Sequence, residues 1–435
     1  MKKKTLALLL ILVLLCTIFV LVACKDPNSE DTDNGDGHAH SYSEAWSRDK
    51  QYHWRNALCG CEPKDMAEHS YEDGICSVCQ YDSSNGLKFE IFEDGSDKAY
   101  AVIGIKEEND ATNIDIPSAY DGLPVKKIAN SAFLGKSIKS IFIPKSVICI
   151  EFRAFEYCGS LVSVDIEDDS QLAIIESQAF KDCTSLDNIW IPSSVKSIGD
   201  KAFDNCSGLT SVKFGRKSQL ASIEEDTFAN CTSLKSIEIP SGVTSILPAA
   251  FSGCSNLTTV KFAENSQLEI ISYFAFQNCI NLKRVELPET VTIINDNAFY
   301  KCNKLEYNEY ENGLYLGNND NPYVALIKTA SKDITNFKIN EKTKMIGVLA
   351  FANCSSLSSI VIPDSVVSIG EQSFVGCVNL SSIEIRNNIK IIMNHAFSRC
   401  MGLVIYCEVE SQPSGWDSKW NSDNCRVEWG CNIGQ

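Results

Sequence analysis

The sequence is short of basic charge: 39 Lys and Arg stand against 56 Asp and Glu, a formal net charge of -17. Phosphate binding needs a net basic surface, so nucleic acid is excluded as a partner. Histidine is scarce as well. Of five in all, four (His38, His40, His53 and His69) fall within residues 38–81, and His395 is the lone one in the region that follows. The signatures of catalysis are missing: there is no nucleophile–base–acid set, no phosphate loop and no pair of carboxylates in a catalytic frame. The chain therefore reads as a non-enzyme with no catalytic residues. Beyond the first two dozen residues, no stretch is apolar enough to span a membrane. Wholesale disorder is excluded too, because hydrophobic residues make up 44% of the chain and charged ones only 22%.

What is present starts with an address. Lys2, Lys3 and Lys4 precede an apolar run from Thr5 to Val22, which closes on Leu21-Val22-Ala23-Cys24. That tetrapeptide resembles the bacterial lipobox, whose peptidase cuts before the cysteine. The resemblance implies removal of 1–23, lipid attachment at Cys24, and a chain anchored to the extracellular face of a bacterial cell membrane. A transmembrane anchor and a plain signal peptide are the alternatives. Residues 24–37 hold five acids and no large apolar side chain. They read as an acidic, solvated tether.

Residues 38–81 form a small Cys/His-rich module with His53, Cys59, Cys61, His69, Cys76 and Cys79. Cys76-Ser-Val-Cys79 places two thiolates on one tight turn, which suits a tetrahedral metal. A segment this short cannot bury much of a core, so a staple is expected. Structural zinc on the four cysteines, with His53 and His69 as replacements, is one reading. Disulfides and free thiols are the others. No general base lies near enough to suggest catalytic zinc.

The rest of the chain repeats. Phenylalanine recurs at 133, 155, 180, 203, 228, 251, 276, 299, 351, 374 and 397, and nine of the eleven follow an alanine. Ten have a cysteine three residues on: Cys158, Cys183, Cys206, Cys231, Cys254, Cys279, Cys302, Cys354, Cys377 and Cys400. Spacings of 23 and 25 residues alternate through the middle of the array, with a gap of 52 between Phe299 and Phe351. In one coil, Ile237 and Ile239 alternate with Ser236 and Glu238, the pattern of a short strand with one buried face. Pro240 then ends the strand, because it has no N–H to give a ladder. Val243 and Ile246 return toward the core, and Ala250-Phe251 with Cys254 closes the coil. A single coil exposes half its apolar residues, and stacking buries them.

This pattern, Leu-x-x-Ile-x-Ile-Pro-x-x-Val-x-x-Ile-x-x-x-Ala-Phe-x-x-Cys, resembles the BspA-type bacterial leucine-rich repeat across about 112–405. The resemblance implies an α/β-type repeat fold: a right-handed solenoid with a parallel β-sheet along one face. It also implies a surface protein that binds protein ligands, such as extracellular matrix or other bacterial surface proteins, since the family includes adhesins. A passive envelope spacer and a metal-dependent activity in the Cys/His module are the alternatives. Residues 87–111 read as a strand-like N-terminal cap, 307–333 as a hairpin projecting from the stack, and 406–435 as a C-terminal cap around Trp416, Trp420 and Trp429. Cys407, Cys425 and Cys431 could pair there. The coil cysteines read as buried free thiols acting as small hydrophobes.

The outward strand position runs Phe142, Asp165, Trp190, Lys213, Glu238, Lys261, Glu286, Glu309, Lys338, Val361, Glu384. Lys213, Glu238, Lys261 and Glu286 alternate in sign and should pair weakly along the ladder. Phe142 and Trp190 stand where polar residues are usual, which marks them as candidate ligand-binding residues.

Overall fold

The computed structural model describes residues 42–48, 52–56, 64–68, 70–72, 75–78, 84–107 and 111–433. Cys24, the tether, Cys59, Cys61, His69 and Cys79 lie outside them. The chain divides into two units, 1–84 and 85–435. In the first, Ser47–Arg48, Tyr52–Arg55 and Lys64–Glu68 form an antiparallel sheet, and Tyr71–Glu72 pairs with Ile75–Cys76.

The second unit is a β-solenoid with two parallel ladders, where the sequence pattern suggested one sheet. The first ladder is built from the Ile-x-Ile segments: Ser140–Ile143 pairs with Ser163–Ile166, Asn188–Ile191 with Ser211–Phe214, and Ser236–Ile239 with Thr259–Phe262. Strand Ser236–Ile239 stops where Pro240 begins. The second ladder uses two-residue strands, among them Cys149–Ile150, Ile174–Ile175 and Ser197–Ile198 in one run, and Ser222–Ile223, Ser245–Ile246, Ile270–Ile271 and Ile293–Ile294 in another.

Among the described residues there is no helix, which corrects the α/β expectation. The physical reason lies in the segment around each phenylalanine. It carries two left-handed residues four apart, such as Arg153 and Tyr157 or Lys201 and Asn205. Left-handed residues interrupt a right-handed helix. The backbone bonds across coils instead. Phe155 N–H donates to Ala179 O at 2.7 Å, and Phe180 N–H donates to Ala202 O at 2.8 Å. Turn bonds inside each coil, such as Cys158 N–H to Phe155 O, take up further amides. Buried backbone groups need such partners, and stacking supplies them.

The core is a set of vertical columns. Rings from Phe133 through Phe299 stack with centroids 4.9–5.5 Å apart and nearly parallel planes. Phe351, Phe374 and Phe397 form a second column at 5.0 and 5.4 Å. Beside the rings, nine of the ten coil thiols donate to the phenylalanine carbonyl of the coil before, at 2.9–3.3 Å. Cys354, which opens the second column, faces Thr329 Oγ1 instead.

The columns break at the long gap. The segment expected to project as a hairpin is built into the stack. Asn308–Tyr310, Gly313–Leu316 and Ala325–Thr329 form an antiparallel meander whose last strand pairs parallel with Met345–Ile346. Tyr315, Leu316, Ala325 and Leu326 are buried, so apolar burial holds the meander in place. The N-terminal end of the array is made the same way. There, Leu87–Asp94 and Asp97–Ile105 form an antiparallel hairpin whose second strand pairs parallel with Leu123–Ile128. The solenoid therefore starts twice, and its buried apolar residues fall into two clusters that meet around Tyr315–Met345. Asn321, itself buried, joins the two arrays by donating to Glu289 Oε1 and to Lys342 O, each at 3.0 Å.

At the far end Trp420 takes the ring position, edge-on to Phe397 at 5.9 Å. Cys425 takes the thiol position, with its Sγ toward Phe397 O and Cys400 O. Cys407 is buried, and its carbonyl accepts from Cys431 N–H; both thiols are free.

Burial pushes the Cys158 and Cys254 thiols up from an ordinary value of 9.0 to about 12. Well below pH 9 the folded and unfolded chains both hold the protons of these two thiols. Above it the unfolded chain ionises first, so stability falls as pH rises toward 12. Urea unfolding at pH 7, 9 and 10.5 should show a plateau and then a steep fall. Cys254→Ala should reduce the alkaline slope by about 1.4 kcal/mol per pH unit.

Candidate ligand-binding surface

The first ladder carries the candidate surface, because its inward positions are sealed in the core and its outward ones face solvent. Ile141, Ile143, Ile189 and Ile191 are buried, which turns Ser140, Phe142, Asn188 and Trp190 outward by the two-residue period of a strand. The register places Asp115, Phe142 and Asp165 on successive rungs. Asp187 N–H donates to Val162 O, the bond that Val162 N–H makes to Lys139 O one coil earlier. Trp190 therefore stands one coil beyond Asp165, although its strand is not paired with Ser163–Ile166 and opens a new sheet, with Lys213 opposite Trp190 on the next strand. Phe142 and Trp190 are half-buried, while Asp115, Asp165 and Lys213 are exposed.

Asp115 adds a rung before Phe142, the first that the sequence pattern marks. Its signal is Ile114-Asp115-Ile116-Pro117, the same Ile-x-Ile-Pro that ends other strands. Glu309 is the opposite case. It sits in the meander opposite Leu314 and takes no rung of the ladder. A count of coils across the gap placed it there, and the antiparallel turn breaks that count.

The expected pairing of alternating charges is also corrected. Lys213, Glu238 and Lys261 form no ion pair with one another among the described residues. The Glu286 carboxylate instead meets Arg284 Nε, two residues back along the chain, at 3.2 Å. Long side chains in water gain too little from a single contact to hold it.

In the second array the same face has a different character. Val361 is 69% exposed, and a cavity of about 650 Å³ lies over Lys338, Val361 and Glu341, with an ion pair between Arg386 and Asp364 at 2.8 Å. Apolar and charged groups of both signs line it together.

Five thiols of the first column are held protonated, while the hydrogen bond with Cys377 lowers the Cys400 thiol in the second. Burial raises the Cys158, Cys183, Cys206, Cys231 and Cys254 thiols, so none is a thiolate at neutral pH. His395, with positive φ, is fixed by its backbone N–H to Lys419 O at 2.9 Å. In the Cys/His module, His53 is buried on Tyr52–Arg55 with its ring edge-on to Trp46 at 4.8 Å, and the Arg55 guanidinium lies 4.7 Å over the same Trp46 ring. Cys76 ends the strand Ile75–Cys76. The other four expected zinc ligands fall outside the described residues. Among the described residues no cluster of three or more His, Cys, Asp or Glu could hold a metal ion.

The sequence matches the BspA type leucine rich repeat region, in six copies, over residues 107–219, 221–319 and 329–407. Several solved structures are similar. The pneumococcal vaccine antigen PcpA is 21% identical over 76% of each chain, with a TM-score of 0.38. A leucine rich cell surface protein from Faecalibacterium prausnitzii is 25% identical over 79% of this chain and 96% of its own, with a TM-score of 0.37. A leucine rich repeat protein from T. pallidum is 26% identical over 51% of this chain and 88% of its own, with a TM-score of 0.38. No curated protein matches. With the repeat match covering more than half of the sequence, the chain belongs to the BspA type leucine-rich repeat family.

Proposed function

We propose that this is a bacterial cell-surface protein, held at the outer face of the membrane by a lipid on Cys24, whose solenoid binds protein ligands through the first ladder. The observation that carries the reading is the outward column of that ladder. It is an open face on a rigid stack, and two large aromatics stand on it where short polar residues would suffice. Half-buried aromatics on an ordered surface are the usual anchors of protein interfaces. Repeat solenoids offer long surfaces of this kind rather than closed pockets. The acidic tether would hold that surface away from an anionic membrane.

Binding of the purified chain to extracellular matrix and bacterial surface proteins tests this. Saturable binding should survive physiological salt, and Trp190→Ala should weaken it about tenfold or more, as loss of an interface anchor does. Binding that disappears with salt would be charge attraction alone. Absence of binding to every protein tried would favour an envelope spacer.

Structural zinc on Cys59, Cys61, Cys76 and Cys79, with His53 and His69 as replacement ligands, is a separate proposal. It is supported by the Cys-x-x-Cys spacing and by the small size of the module. Metal analysis of the full chain should find one zinc, lost on chelation together with local structure around Trp46 and Trp54. Disulfide masses in place of zinc would contradict it.

A further inference from the structure

The four N-terminal rungs of the first ladder differ from the rest. Acid and aromatic alternate there: Asp115, Phe142, Asp165, Trp190. Beside this strip runs a lane of short polar side chains on the same outward face, Asn113, Ser140, Ser163 and Asn188, with Ser140 Oγ donating to Asn113 Oδ1 at 2.8 Å. The lane is low and polar, and the strip supplies rings and carboxylates at fixed intervals. Lys213 on the next rung reverses the charge and ends the strip.

The interval identifies the partner. Strands in a sheet lie about 4.8 Å apart, so Asp115 and Asp165, two strands apart in one sheet, stand ~9.6 Å from each other, and Trp190 follows one coil on at the start of the next sheet. A polyproline II helix rises about 3.1 Å per residue with three residues per turn, so like side chains on one face recur every ~9.3 Å. An extended β-strand repeats its side chains about every 6.8 Å and falls out of step with the strip after one repeat. A left-handed polyproline segment laid along the ladder therefore stays in register with it. A cationic residue at every third position would meet Asp115 and then Asp165. The two residues between would cover Phe142 and then Trp190. Proline rings pack on aromatic faces, and the preformed helix loses little entropy on docking.

We infer that the strip Asp115–Phe142–Asp165–Trp190 is a docking site for a cationic polyproline II segment of a partner protein, with a Lys or Arg at every third residue. The inference rests on the reading that the first-ladder face binds protein ligands, and it names the chemical class of ligand. The reversal at Lys213 limits the ligand to the four rungs, a span of about 14 Å or roughly five residues in this conformation.

Calorimetric titration of the full chain with a twelve-residue peptide of four Lys-Pro-Pro units tests it. Two control peptides separate the terms: four Glu-Pro-Pro units, and four Lys-Gly-Ser units with the same charge and no polyproline bias. Saturable binding is expected for Lys-Pro-Pro, at least tenfold tighter than for Lys-Gly-Ser, with none for Glu-Pro-Pro. Phe142→Ala with Trp190→Ala should abolish it, and Trp190→Tyr should largely restore it in the Phe142 background. Asp165→Asn should weaken it severalfold and flatten its salt dependence. Equal binding of Lys-Pro-Pro and Lys-Gly-Ser, or binding indifferent to both aromatic substitutions, would overturn the inference in favour of diffuse attraction to an acidic chain. No binding of Lys-Pro-Pro, alongside a protein ligand whose binding still needs Trp190, would overturn this ligand class and leave the broader reading standing.

Discussion

Each coil is fixed on the next by the phenylalanine and the cysteine three residues after it. The ring stacks on the ring before, and the thiol donates to that ring's own carbonyl. Coils of 23 and 25 residues differ in their turns, yet both return to the same ring spacing, since the column runs unbroken from Phe133 to Phe299. The extra residues are absorbed in the turn that carries Ser-Gln-Leu, where Leu172, Leu220 and Leu268 are buried. Aromatic pairs add only about 0.5–1.5 kcal/mol each beyond burial. Their larger consequence is geometric, because a repeated contact sets a repeated height.

That height is what the outer face inherits. No ligand group lies in the core, but the spacing of Asp115, Phe142, Asp165 and Trp190 is the spacing of the stack beneath them. A solenoid displays whatever side chains stand on its rungs at an interval decided elsewhere in the coil. The alternation of Lys213, Glu238 and Lys261 shows the same rule with a different result. Evenly spaced exposed charges leave a soft, mixed-sign face with no ion pair among them. The meander between the arrays then restarts the ladder, so the second array presents its own face around Lys338 and Val361.

Much of this was legible in the sequence because period and burial coincide. Ala-Phe-x-x-Cys marks the columns, Ile-x-Ile marks the first ladder, and a following proline marks its end. The second ladder was not legible. Two-residue strands such as Ser197–Ile198 leave no alternation to read, only single buried residues between turns. The first left-handed residue of many pairs was hidden too, since Arg153, Lys201, Ala249 and Phe274 stand where glycine or asparagine would have announced it, as Asn205, Asn230 and Gly253 do at the second position. The second start of the solenoid carried a signal that spacing alone passed over. Thr335-Asn336-Phe337-Lys338-Ile339 follows Tyr323 at the distance at which Thr112-Asn113-Ile114-Asp115-Ile116 follows Tyr100. Of the candidate surface, the aromatics stood out by type. The alternation with acids needed the register, which only the paired strands supply.

Ring-and-thiol columns set the coil register, and the meander divides them into two stacks. Native-state hydrogen exchange on a Phe203→Ala variant tests it most directly, since removing a fully buried ring costs about 3–5 kcal/mol. Amide protection should be lost through the coils of 112–306, including Asn188–Ile191 and Ser211–Phe214, and kept at Ser359–Val361 and Ser382–Ile385. An equal loss in both arrays would contradict that division, because it would make the solenoid one cooperative column that the meander does not interrupt.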